Sequence, residues 1–358
     1  MERKGLQKMT KTDVTAEYLP EYVPVEIMET FTNKPPGLEF IWPGFLAETV
    51  GALVAPGATG KSFFALEAVM SIACSVAGGD LVGLAPTHIG RVVYFAGEDP
   101  LAALKLRVHA IGQHLNPAAR EAIAKYLTIE SIMSKRLNLM NDQHLAHTVE
   151  FCTGARLIVL DTLSRMHNLE ENSNGDMAQL IATLEYIAVS VGASVLYLHH
   201  VSKGSARLIN NAHWCGYVAK MTEQEAERLS DSGSRTPIGD RRGLFVRFGV
   251  SKQNCDVLPL DRWYQRHNGG VLLPAELREI GNRAKKGNET ARNYDFTHAR
   301  HDRAHCLTPE PFRSLKRGDR KKLKLDVTYT YGDGEIQRDQ MKATLRCVIR
   351  EELHGVKV

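Results

Sequence analysis

The stretch Ala55-Pro56-Gly57-Ala58-Thr59-Gly60-Lys61-Ser62 constrains this chain more than any other. It ends an apolar run at residues 49–55 and opens residues 62–76, whose apolar side chains recur at helical spacing. A loop of small residues between strand and helix turns successive backbone N–H groups toward phosphate oxygens, and the helix N-terminus adds a favourable dipole. Lys61 is placed to reach the outer phosphates of ATP, and the Ser62 hydroxyl to ligate magnesium. Pro56, Gly57, Ala58, Thr59, Gly60, Lys61 and Ser62 are therefore the expected nucleotide-binding residues. Ala55 stands where the G-x-x-x-x-G-K-[ST] pattern opens on glycine, a departure that leaves Gly57, Gly60, Lys61 and Ser62 in place.

Further short apolar runs follow at residues 91–96, 156–160, 193–199 and 243–250, with helical patterns between them, residues 177–191 among these. That alternation predicts an α/β fold with a mainly parallel sheet flanked by helices. Asp261-Arg262-Trp263-Tyr264 and the turn signal Asn268-Gly269-Gly270 suit antiparallel strands that close the domain. Residues 1–45, punctuated by Pro20, Pro24, Pro35, Pro36 and Pro43, read as an irregular arm; residues 46–280 read as the core. Residues 281–358 read as a poorly ordered basic tail, with 18 Lys/Arg against 11 Asp/Glu, while residues 1–280 carry 27 against 30. Six cysteines without CxxC spacing suggest neither a disulfide framework nor a zinc ribbon, and point to a reducing, cytoplasmic setting. No apolar run is long enough to cross a bilayer, so no membrane partner is expected.

Strand ends supply the remaining chemistry. The run at 156–160 ends in Asp161, a candidate magnesium ligand acting through water; by itself such an aspartate reads equally as a helix N-cap. The run at 91–96 ends in Gly97-Glu98-Asp99-Pro100, where Glu98 is a candidate base for the attacking water, the alternative being a helix start ahead of Pro100. The run at 193–199 ends in His199-His200, followed by Ser202-Lys203-Gly204; a histidine there can sense the γ-phosphate, the alternative being a structural histidine. Zinc binding by the pair fits poorly, because neighbours on a strand point to opposite faces.

In order, GATGKS, AGEDP, LIVLDTLSRMH, LYLHHVSKG, and FVRFGVSKQN followed by DRWYQRHNGG resemble the RepA-type replicative helicases of IncQ-like plasmids. Those are hexameric RecA-fold ATPases of the DnaB-like superfamily, and the resemblance covers residues 40–278. It implies a RecA-like P-loop NTPase core, ATP and magnesium as cofactors, a homo-oligomeric ring, and 5′ to 3′ movement on single-stranded DNA at a replication fork. A plasmid initiator and a primase are the implied protein partners. Residue by residue, it assigns Lys61 and Ser62 to nucleotide and magnesium, Glu98 to the catalytic base, Asp161 to the metal and His200 to the sensor. It adds Arg107 near the active site and Lys252 as a cation that reaches the neighbouring subunit's nucleotide.

Two departures stand out. Only residues 201–213 separate His200 from Trp214, where the family carries a longer Gly- and Gln-rich segment with a DNA-facing loop. The family also has an arginine just before that tryptophan, acting on the adjacent subunit's γ-phosphate; His213 occupies its place. Slow hydrolysis and weak stimulation by DNA are the expectation. Residues 297–334 resemble the beginning of RepC, the origin-binding initiator of the same plasmids, which suggests a helicase gene fused to the start of its neighbour. The alternatives to a helicase motor are a RecA-fold ATP-binding regulatory protein and a helicase remnant that does not unwind.

Overall fold

The computed structural model describes residues 22–200, 211–231, 236–253 and 261–280. The chain divides into two units, Met1–Ala284 and Lys285–Val358, and all the described residues belong to the first. The basic tail, the segment 201–210 with Ser202, Lys203 and Gly204, and Cys255, Cys306 and Cys347 lie outside the described residues. Cys74, Cys152 and Cys215 are free and buried.

Along the chain, helix α1 (Ile27–Thr32) and the hairpin β1 (Phe40–Trp42) and β2 (Phe45–Leu46) precede strand β3 (Val50–Ala55) and helix α2 (Lys61–Ala73). Next come β4 (Arg91–Ala96), α3 (Leu101–Gly112), α4 (Pro117–Tyr126), β5 (Leu127–Ser131), α5 (Asp142–Cys152) and β6 (Ala155–Asp161). Helix α6 (Asn174–Val191) leads to β7 (Ser194–His200), and β8 (Trp214–Lys220) to α7 (Glu223–Arg228) and β9 (Leu229–Asp231). The described chain closes with β10 (Phe245–Lys252), β11 (Asp261–Arg266), β12 (Leu272–Ala275) and β13 (Leu277–Glu279).

Nine strands make one sheet in the order β12-β11-β10-β8-β3-β7-β6-β4-β5. From β8 to β5 every pairing is parallel, and β10, β11 and β12 extend the sheet antiparallel. The strand before the phosphate loop is thus separated by β7 from the strand carrying Asp161, the order of a RecA-like core. Helices cover both faces, and strand residues alternate between two cores. Leu53, Val92, Tyr94, Val159 and Leu196 pack with α2 and α4, while Ala52, Val93, Ile158 and Tyr197 pack with α6. Burial on both faces explains why these strands are continuous apolar runs rather than alternating ones.

The core begins earlier than the sequence suggests. Ile41, Trp42 and Phe45 are buried, and Trp42 and Phe45 join Trp214 in an aromatic cluster with ring centroids 5.0 to 5.5 Å apart. Pro35 and Pro36 precede this hairpin and Pro43 lies in its turn, and the rings on either side of that turn gain a partner on β8. Ahead of it, residues 22–38 are exposed and include the short helix α1.

Candidate active site

Parallel strands present their carboxyl ends on one side of the sheet, so four strand ends that are distant in sequence meet there. The pairings Ala55 with His200 and Ala96 with Asp161 align these ends. Pro56 to Gly60 connect β3 to α2. Gly60 adopts φ 104°, a left-handed conformation that suits glycine, and the Thr59 hydroxyl donates to the Pro56 carbonyl at 2.7 Å. No side chain caps α2, so its first N–H groups remain for a ligand. Lys61 is buried, and its Nζ has no hydrogen-bond partner. Burial pushes its ammonium down to about 8, against the attraction of Asp161 and Glu98. A buried, unpartnered cation beside open backbone donors fits the outer oxygens of a nucleotide polyphosphate.

Asp161 is buried at the end of β6. Tyr94 Oη donates to its Oδ2 at 2.5 Å, and Ser62 bonds to the same carboxyl group. Burial raises the carboxyl above the usual range, opposed by both hydrogen bonds and by Lys61. Ser62 and Asp161 thus form an oxygen donor set suited to magnesium, whose charge would offset the burial cost. Among the described residues no cluster of three or more His, Cys, Asp and Glu is arranged to hold a metal by itself.

Glu98 lies just beyond β4 with its side chain 42% exposed, 3.7 Å from His200 Nε2 and 3.8 Å from Arg165 Nε. Gly97 permits this turn: a Cβ there would lie 2.8 Å from Arg165 Cβ. His199 is buried and its Nε2 unpartnered; burial lowers its imidazole, which favours the neutral form. His200 at the same strand end faces Glu98. Asp99 does not cap α3 but grips Arg107, through 2.5 and 2.9 Å contacts, and that guanidinium also lies over the Phe63 ring. A recess of about 430 Å³ between α2, α3, α4 and β5 includes none of these residues.

The other two sequence candidates stand at the opposite edge of the sheet. The His213 N–H donates to the Val50 carbonyl at 2.8 Å, at the start of β3, and Lys252 Nζ donates to the Ala212 carbonyl at 2.6 Å. Five strand residues separate that level from Ala55, about 16 Å at the usual rise. Neither side chain faces its own chain's phosphate loop. Burial, followed by the nearby Lys252 charge, lowers the His213 imidazole.

Three residues at the site were given no role by the sequence, although Arg165 and Arg266 lie within the motifs LIVLDTLSRMH and DRWYQRHNGG. Tyr94 and Arg165 reach it only through strand register and the turn after β6, and Arg266 reaches it from β11, donating to the Thr59 carbonyl at 2.9 Å.

Loop, buried lysine, strand-end carboxylates and sheet order together define a P-loop nucleotide-binding domain of RecA-like fold. The AAA domain family model (AAA_25) matches residues 17–206, over half of the sequence, and the chain belongs to that family. A second family model, Replication protein C (RepC), matches residues 293–346. Among solved structures the chain is similar to one described as an ATPase domain, at 12% identity, covering 70% of this chain and 96% of that chain with a TM-score of 0.44.

Proposed function

We propose that this chain is an ATP-hydrolysing motor subunit of the plasmid replicative helicase class, similar to the RepA-type helicases, that turns over slowly and responds weakly to DNA. One observation carries the reading. Lys61, Ser62, Asp161, Glu98 and His200 converge at one sheet edge, while Lys252 and His213 stand at the other. Such a subunit binds nucleotide by itself and needs another copy to complete the site. The RepC match in the tail supports the plasmid setting and an initiator as partner.

In this reading Lys61 and the loop N–H groups hold the phosphates of ATP, and Ser62 with Asp161 would hold magnesium. When bound, the metal would supply charge neutralisation on the transferred phosphoryl group. Glu98 orients and deprotonates the attacking water. His200, in contact with Glu98, reports the γ-phosphate to the segment that follows it. Arg107 holds Asp99 and so fixes the turn that presents Glu98. Lys252 and His213 face a neighbouring subunit's nucleotide. A neutral imidazole is a poor replacement for a guanidinium, which contributes on the order of a thousandfold in such motors.

The exposed apolar side chains Tyr22, Val23, Val25, Met28, Phe31 and Leu38 support self-association. A nucleotide-binding regulator that does not unwind DNA is the second reading, favoured by His213. Two assays separate them: unwinding of a forked duplex with a free 5′ tail, and turnover of His213→Arg in assembled protein. The motor reading expects detectable unwinding and a rise on the order of a thousandfold with arginine. Rings that form, bind ATP, leave the fork intact and ignore the arginine would favour the regulator.

A further inference from the structure

We propose that Arg266 is a positioning residue that sets the orientation of the phosphate loop; the inference rests on the reading of that loop as the nucleotide site. Its guanidinium Nη2 donates to the Thr59 carbonyl at 2.9 Å across 207 residues of sequence. In a trans peptide the carbonyl and the following N–H point in opposite directions. A Thr59 carbonyl drawn toward β11 therefore turns the Gly60 N–H away from β11, into the cradle between loop and strand ends. That donor is one of those a polyphosphate needs, and it is fixed before any ligand arrives.

The surroundings are built for this contact. A Cβ at position 60 would stand 3.0 Å from Arg266 Nη2, so glycine lets the guanidinium lie against the loop. Arg266 pairs with Leu272 across the β11–β12 hairpin, and the Leu272 N–H donates to Glu67 Oε1 of α2 at 2.9 Å. At one level of the hairpin, then, one bond runs to the phosphate loop and another to the helix behind it. Gly270 in the connecting turn lies against Phe63, where a Cβ would meet the ring at 2.6 Å. Arg266 is half-buried, its Nε is buried without a partner, and the bond from Nη2 to Thr59 offsets part of that cost. The hairpin that closes the sheet thereby becomes the back wall of the nucleotide site.

Arg266→Met keeps the apolar stem and removes the donor, and Arg266→Lys restores a donor. ADP with magnesium is the probe, by titration calorimetry on the full chain. In parallel, 15N relaxation reads the order parameter of the Gly60 amide in nucleotide-free protein. For the methionine variant the expected result is a loss of ADP affinity of about tenfold, together with a fall in the Gly60 order parameter from rigid values near 0.85 to below about 0.6. Lysine should recover most of both. Unchanged affinity overturns the proposal. So does affinity lost with Gly60 as rigid as before, which would mean that the guanidinium acts on the phosphates by charge alone. Should wild type itself fail to bind ADP, the nucleotide reading falls, while the Gly60 comparison still decides whether Arg266 sets the loop.

Discussion

Lys61 holds its charge at a cost, because burial brings its ammonium to about 8 and no hydrogen bond compensates. At that pH about half of the nucleotide-free molecules carry a neutral lysine. Phosphate oxygens favour the ammonium form, so binding draws a proton from solvent. Affinity for ATP or ADP should then decline as pH rises above about 8. Calorimetry in two buffers of different ionisation enthalpy should show net proton uptake near that pH, and its absence would mean that Lys61 does not face the phosphates. Much of this site was readable at the residue scale, because the phosphate loop and the strand-end acids are local in sequence. The contacts of Tyr94, Arg165 and Arg266 were not readable, even where the residue lies in a quoted motif: each reaches the site by register or by a contact between distant segments, which composition and spacing do not encode.

Among elements, the strands at 50–55, 91–96, 155–161, 194–200 and 245–252 were legible as apolar runs, since each is a strand buried by helices or neighbouring strands. Strand β5 was not. It sits at the sheet edge with every residue only half-buried and follows α4 without a turn residue between them. Strand β8 was missed because Gly216 interrupts its pattern where Trp214 needs the space; a Cβ there would stand 2.4 Å from its ring. Helix α2 holds a second consequence of burial. Glu67 is fully buried, one oxygen accepts from Leu272 and the other has no partner. Burial pushes its carboxyl up to about 8 from an ordinary 4.5, so it is protonated in the fold and ionised in the unfolded chain across that window. Unfolding releases the proton, and stability falls as pH rises between those values. At about 1.4 kcal/mol per pH unit, the ceiling is about 5 kcal/mol. Glu67→Gln keeps the acceptor for Leu272 and should flatten the pH dependence of denaturant unfolding over this range. A curve that keeps the wild-type slope would place the titration elsewhere.

For the whole molecule, the division of groups between two sheet edges is the organising fact. Lys61, Asp161 and Glu98 stand at the carboxyl ends of the parallel strands, and His213 and Lys252 stand about five strand residues away, at the level where β3 begins; the proposed motor assigns the first group to the subunit's own nucleotide and the second to a neighbour's. Removing residues 22–38, where Phe31 is 79% and Met28 72% exposed, should leave the core folded and nucleotide-binding while lowering the assembled mass in sedimentation velocity. Unchanged mass would locate the interface elsewhere. No helix among the described residues is long and apolar enough to cross a membrane. The central claim is that the Lys61 loop turns over ATP in this fold, and steady-state phosphate release by wild type and Lys61→Ala, with and without single-stranded DNA, tests it most directly. Slow wild-type turnover, weakly raised by DNA and abolished by the alanine, is the predicted result; turnover that survives in Lys61→Ala would contradict it.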